Sequence, residues 1–417
     1  MFRKEVLDNG LRVVTERIPS VRSVSIGIWV DVGSRDEQPG EEGLSHFIEH
    51  MVFKGTRRRS AEAISREIDA LGGELNAFTS REGTTFYAKV LDEHVGEGID
   101  LLADIFHHSC FDAREVTKEK QVVLEEISMA EDDPEDYLYD LHTKNAFRTH
   151  PLGRPILGEV ATIQALRRPR VLAFRDRHYR PSQVVISVAG NFSFEPVLRQ
   201  VKAAFGGAWG QGRAFDRRIP PTLARGIRVR TKPLEQAHLC FGLKGVSQRD
   251  KDRYGAYALN AILGGGVSSR LFQEVREKRG LAYSIYSSVM CFTDSGLLTV
   301  YAGARPEVAP RVMGLVLAEL RRLQAKPVGR AELARAKSQL KGNFMLGLES
   351  TSSRMSKLAK DEMYHGRHVP LREIMANIDA VSVDQLSRLS RELLDDRHLT
   401  VTALGPLKKK DVECAMQ

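Results

Sequence analysis

The predicted elements of this chain run through the same order twice. In the first half, Glu74–Thr79 and Thr84–Val90 read as a strand pair, followed by a helix from about His94 to Ser109. Asp112-Ala113-Arg114-Glu115, with capping-box spacing, then opens a long helix to about Asp133. In the second half, Leu281–Tyr301 again reads as paired strands and about Pro306–Ala325 as an amphipathic helix. Another helix begins near Gly329, where Arg330-Ala331-Glu332-Leu333 resembles Arg114-Glu115-Val116. A shared order on weak identity predicts an old duplication and two related domains. Length agrees, because 417 residues exceed one ordinary core. Phe205–Pro221 is rich in Gly, Arg and Pro, which places the boundary between domains 1–210 and 211–417. Both halves mix helices with antiparallel-looking strands. The expected class is α+β, each domain packing helices on a mostly antiparallel sheet.

The remaining elements of the first half are equally legible. Asp8-Asn9-Gly10 lies between two strand-like runs and predicts a hairpin with a two-residue Asn-Gly turn. Val24–Val32 reads as a strand and Gly43 to about Phe53 as a helix. Ser60 caps a further helix that stops at Gly72-Gly73.

Composition removes several function classes. No apolar run reaches the roughly 20 residues that span a bilayer, and the basic start has no apolar stretch behind it, so no secretory signal is read. Cys110, Cys240, Cys291 and Cys414 form no CxxC pair, which suits a reducing cytoplasm and argues against a thiolate zinc site. The net charge of +8 is dispersed and carries no nucleic-acid-binding motif. Cys414-Ala415-Met416-Gln417 formally matches a prenylation box, read here as an accidental match. A soluble cytoplasmic protein with neither membrane nor nucleic acid as partner is expected.

The chemistry concentrates at His46-Phe47-Ile48-Glu49-His50. On a helix, positions i, i+3 and i+4 share one face. Two imidazoles four apart can grip one zinc ion, with a glutamate beside them to handle a proton. The order is the reverse of HExxH. On this segment alone, a polar helix face with two ordinary histidines is the plain alternative. A catalytic zinc also needs a third ligand. In the helix Asp112–Asp133, the apolar residues Val116, Val122, Val123, Leu124 and Ile127 define the buried side. Glu119 and Glu126 lie roughly 60–85° from its centre, on one stripe, whereas Glu125 points to solvent. Two surface glutamates in a charged helix are the alternative there.

At these residues the chain resembles a known family. Gly43-Leu44-Ser45-His46-Phe47-Ile48-Glu49-His50-Met51-Val52-Phe53-Lys54-Gly55-Thr56 and Glu119-Lys120-Gln121-Val122-Val123-Leu124-Glu125-Glu126-Ile127 are similar to the inverted zincins: pitrilysin, insulin-degrading enzyme and the mitochondrial processing peptidase. The similarity is strongest to the processing-peptidase branch and its single-chain bacterial relatives. The family's third ligand, a glutamate 76 residues past the second histidine, falls on Glu126, and its assisting glutamate falls on Glu119. The resemblance implies a zinc endopeptidase or oligopeptidase acting on unfolded peptides, with one Zn2+ per chain on His46, His50 and Glu126. Glu49 would be the general base.

The same resemblance implies a substrate site. Asn76, Ala77 and Phe78 fall on an edge strand that can pair with an extended peptide, and Phe53 on a pocket residue for the position after the cut. Gly264, Gly265 and Gly266 match a glycine-rich loop, and Arg276 with Tyr283 match a pair that donates to the developing oxyanion. Asp136 and Asp140 match acidic residues that read arginine upstream of the cut. An ordinary sheet strand, a core phenylalanine, a plain turn, a surface salt bridge with a buried strand tyrosine, and a solvated acidic turn are the respective alternatives. In the second half, Leu259-Asn260-Ala261-Ile262-Leu263 stands where the metal motif stood and Asn343 opposite Glu126, so that domain carries no metal. The long family members enclose substrate between two double-domain units. A chain of one unit is therefore expected to form a homodimer with shared active sites. The alternative function is a non-catalytic structural or partner subunit of a processing-peptidase-like assembly.

Overall fold

The computed structural model describes residues 1–209 and 218–415. The expected boundary at 210/211 and the end of the prenylation-like box, Met416-Gln417, lie outside the described residues. Packing divides the described chain into two compact units. One comprises residues 1–129, 154–209 and 347–368; the other comprises 130–153, 218–346 and 369–415.

In the first unit, six strands are β1 (Phe2–Val6), β2 (Arg12–Arg17), β3 (Ser23–Val30), β4 (Glu74–Thr79), β5 (Thr84–Leu91) and β6 (Val184–Gly190). Their order is β1-β2-β6-β3-β5-β4. Only the β2–β6 pair is parallel. In the second unit, β7 (Gly226–Thr231), β8 (Ala237–Lys244), β9 (Ala282–Cys291), β10 (Gly296–Ala304) and β11 (Thr400–Gly405) lie in the order β7-β11-β8-β10-β9. Matching β2 through β6 with β7 through β11 in chain order reproduces both the strand order and the single parallel pair. Both units are α+β, and the repeated topology agrees with the duplication read from element order.

The N-terminal hairpin forms with a different turn from the one expected. Gly10 N donates to Leu7 O and Leu7 N to Leu11 O, which makes a three-residue loop in which only Gly10 takes a positive φ. That is a type I turn closed by a glycine bulge.

Each sheet is buried on both faces. In β3, Val24, Ile26, Ile28 and Val30 join the main core of the first unit, while Trp29 turns to a smaller cluster with Met355, Leu358 and Ala359. Those three belong to the helix Thr351–His365, which covers the outer face. Gly27 admits it: a Cβ there would lie 2.6 Å from Met355 Sδ. The second unit repeats the device with the helix Pro134–Phe147, laid on β8 and β11. Leu138 packs on Cys240, Tyr301 and Leu404. His142 sits where a Cβ on Gly242 would meet its Nε2 at 2.5 Å.

His142 is fully buried, its Nδ1 3.1 Å from the Thr402 hydroxyl. Burial lowers its pKa to about 3. Between that value and the ordinary 6.5, the unfolded chain binds a proton that the folded chain refuses, so stability is lost as the pH is lowered. From pH 7 to pH 5 this single group should cost about 2 kcal/mol. His142→Met, which installs the residue type used at Met355, should remove that share of the acid destabilisation. Urea denaturation of both proteins at the two pH values measures it; an identical loss in both would refute the assignment.

Candidate metal centre

The helix Leu44–Met51 carries the motif. Leu44, Phe47, Ile48 and Met51 are fully buried and fix one side of it in the core. The i, i+3, i+4 spacing then puts His46, Glu49 and His50 together on the other side. Opposite runs the helix Ala113–Asp132, started by the Asp112 carboxylate, which accepts from Arg114 N. Val116, Val123 and Ile127 anchor it. Glu119 is buried beside them, Glu126 is half-buried, and Glu125 faces solvent.

The donor atoms converge. His46 Nε2 and His50 Nε2 are 3.1 Å apart, and Glu126 Oε2 lies 3.7 Å from the first and 3.5 Å from the second. Tetrahedral zinc with bonds near 2.1 Å sets its ligands about 3.4 Å apart, so the three atoms already mark one face of such a tetrahedron. Glu126 Oε2 is buried and has no hydrogen-bond partner, which is costly unless a cation meets it. Burial, helped by His50, lowers the His46 pKa to about 3, which keeps the neutral imidazole that a metal requires. The donor set, two imidazoles and one carboxylate, fits zinc.

Around the ligands, Glu119 Oε1 lies 2.8 Å from His50 Nδ1 and accepts its proton, which leaves Nε2 as the free donor. Glu119 thus acts through His50. Its other oxygen pairs with Lys54 Nζ at 2.7 Å. Lys54→Met should weaken zinc binding about tenfold while keeping activity at saturating metal; competition with a chelator measures this, and unchanged affinity would refute the link. Glu49 Oε2 accepts from Thr79 Oγ1 at 2.5 Å. Burial raises the Glu49 pKa, the nearby Glu126 adds to it, and Thr79 and His50 oppose it. A raised pKa makes a carboxylate a stronger proton acceptor.

Residues 12–160 match the family described as insulinase (peptidase family M16), and residues 165–340 match the peptidase M16 inactive domain. An uncharacterized zinc protease of Bacillus subtilis (strain 168) is 43% identical over 95% of this chain and 96% of its own. One from Streptomyces coelicolor is 43% identical over 98% and 90%. The chain belongs to peptidase family M16. Among solved structures, a protease from Helicobacter pylori superposes with a TM-score of 0.90 at 25% identity, covering 97% of this chain and 99% of that one. A Candida albicans complex III2 structure matches in fold, with a TM-score of 0.86 at 22% identity, covering 99% of each chain.

Within this M16 chain, β4 is the edge of its sheet. Alternation divides the three residues expected on it. Ala77, like Leu75, packs toward the core that the metal helix closes, and Thr79 reaches Glu49 from that side. Phe78 points the other way, edge-on to Trp29 at 5.6 Å, and Asn76 Oδ1 accepts from Ala77 N. Phe53 is half-buried against the same core. In the second unit, Arg276 sits on a single π-helical turn, Phe272–Glu277, with its guanidinium 4.7 Å above the ring of the exposed Tyr283. The expected pair is therefore together. Gly264 is required for packing: a Cβ would lie 2.5 Å from Ser287 N on β9. Asp136 and Asp140 share one face of the helix Pro134–Phe147, which Asp133 caps. Sequence reasoning missed Lys54 and Thr79. It also missed Glu135, which accepts from the Tyr286 hydroxyl. Only side-chain pairing reveals such roles.

Proposed function

We propose that this protein is a zinc metalloendopeptidase that cleaves unfolded peptides in the manner of processing peptidases. The observation that carries the reading is the tetrahedral-edge spacing of His46, His50 and Glu126 beside a base-strengthened Glu49. Zinc held by these three residues would supply a Lewis acid that polarises the peptide carbonyl and lowers the pKa of water toward 7. Glu49 takes a proton from the attacking water and passes it to the leaving amine. Thr79 fixes the carboxylate for this transfer. The open edge of β4 holds the substrate backbone as an added strand. Arg276 and Tyr283 donate to the developing oxyanion.

A non-catalytic subunit would tolerate loss of ligands; this chain keeps all three and Glu49. Zinc proteases by name among its relatives support the enzymatic reading. No helix among the described residues is long and apolar enough to cross a membrane; action in the cytoplasm is proposed on the four cysteines, which form no CxxC pair. Cleavage of a peptide library with and without a zinc chelator tests the activity: chelator-sensitive cuts are expected, and cuts that survive the chelator would reject it.

Two finer proposals accompany this one. Asp136 and Asp140 select peptides with Arg or Lys a few residues before the cut. The double variant Asp136→Asn/Asp140→Asn should lose that preference, and equal cutting of acidic and basic peptides by the wild type would reject it. A homodimer completes each site, with Arg276 and Tyr283 serving the partner's zinc. Mixing Glu49→Gln with Arg276→Ala subunits should then recover roughly a quarter of wild-type activity. No recovery after verified exchange would reject sharing.

A further inference from the structure

The metal helix has only eight residues and starts at Gly43, whose φ of +93° and missing side chain leave the helix without a cap of its own. No larger residue can take the position: a Cβ there would lie 2.7 Å from Leu157 O and 2.8 Å from Ile163 Cδ1. A helix this short is not held by propensity and needs its first amides satisfied. Glu37, only 3% exposed, supplies both partners from the preceding loop. Its Oε2 accepts from Gly43 N at 2.9 Å and its Oε1 from Ser45 N at 2.8 Å. Its own carbonyl accepts from Arg154 Nη1. The same loop is tied to the strand that meets Glu49. Arg35 pairs with Glu82 at 2.6 Å in the buried interior, and Ser34 N and Arg35 N donate to Ser80 O and Arg81 O, just after Thr79.

We propose that Glu37 is a positioning residue of the metal centre, its bridging carboxylate setting where the helix Leu44–Met51 presents His46, Glu49 and His50. The proposal rests on the zinc reading. One loop fixes the helix through Glu37 and the β4–β5 turn through Arg35, so it sets the distance between Glu49 and Thr79 as well as the grip on metal. Burial pushes the Glu37 carboxyl up to about 8, with the amides of Ser45 and Gly43 pulling it back; a carboxylate kept in such a place must have both oxygens occupied.

Glu37→Gln keeps the shape but offers one acceptor and presents an NH2 to a backbone N–H. Glu37→Asp keeps the carboxyl group but is too short to bridge both amides. For each folded variant, zinc affinity is measured by chelator competition, and kcat and KM are measured at saturating zinc. The expected result is zinc affinity at least tenfold weaker for Gln and threefold to tenfold weaker for Asp, with kcat reduced and KM within about twofold of wild type. A role in stability alone would leave both zinc affinity and kcat of the folded fraction unchanged. Affinities within twofold of wild type would therefore overturn the proposal. Wild type and His46→Ala run alongside. If wild type itself binds zinc no better than His46→Ala, the zinc reading fails; if it binds and the Glu37 variants match it, only this inference fails.

Discussion

Glu49→Gln should hold one zinc ion per chain and yet lose peptide hydrolysis by about a thousandfold. The substitution preserves volume, and the Thr79 hydroxyl can donate to the amide oxygen as it does to Glu49 Oε2. The three donor atoms that converge belong to His46, His50 and Glu126, so the substitution leaves them intact. What disappears is the carboxylate that the proposed mechanism uses to accept the proton of the attacking water. Metal analysis beside kcat measures both halves of the expectation. Activity within tenfold of wild type would assign the base elsewhere, and loss of zinc would make Glu49 a ligand.

Glu126→Gln should weaken zinc binding by more than about a hundredfold, past the range typical of an outer partner such as Glu119. A neutral amide oxygen is a poor exchange for the carboxylate lying 3.5 and 3.7 Å from the two imidazole nitrogens. Glu125→Gln, one residue earlier and exposed, should leave affinity and activity within twofold. The pair separates register from charge, since both remove one acid from the same helix. Loss of zinc in the Glu125 variant with retention in the Glu126 variant would shift the helix assignment by one residue.

The convergence of His46, His50 and Glu126 was legible because helical spacing is rigid. Positions i, i+3 and i+4 must share a face, and the same arithmetic separated Glu126 from Glu125. The duplicated order of elements was legible for a related reason: strand pairs and helices each leave a period of their own. What the sequence hid depends on contacts between distant segments. Nothing in Thr351–His365 says that it will cover the first sheet rather than the second, because an amphipathic stripe does not name its partner. Pro134–Phe147 hid its place in the second unit in the same way, and its acidic start disguised a helix capped by Asp133. Glu37, Lys54 and Thr79 are single side chains whose meaning lies in one or two hydrogen bonds or an ion pair. On β4 the alternation was available in the sequence, yet only the position of the metal helix decides that Ala77 and Thr79, rather than Phe78, face it.

Anomalous diffraction at the zinc edge, from crystals of the zinc-loaded chain, tests the metal assignment most directly. The expected map holds one peak per chain, about 2.0–2.1 Å from Nε2 of His46 and His50 and about 2.0–2.2 Å from a Glu126 oxygen, with one position open beside Glu49. A peak bound elsewhere, or one at this place that lacks any of the three ligands, would contradict it.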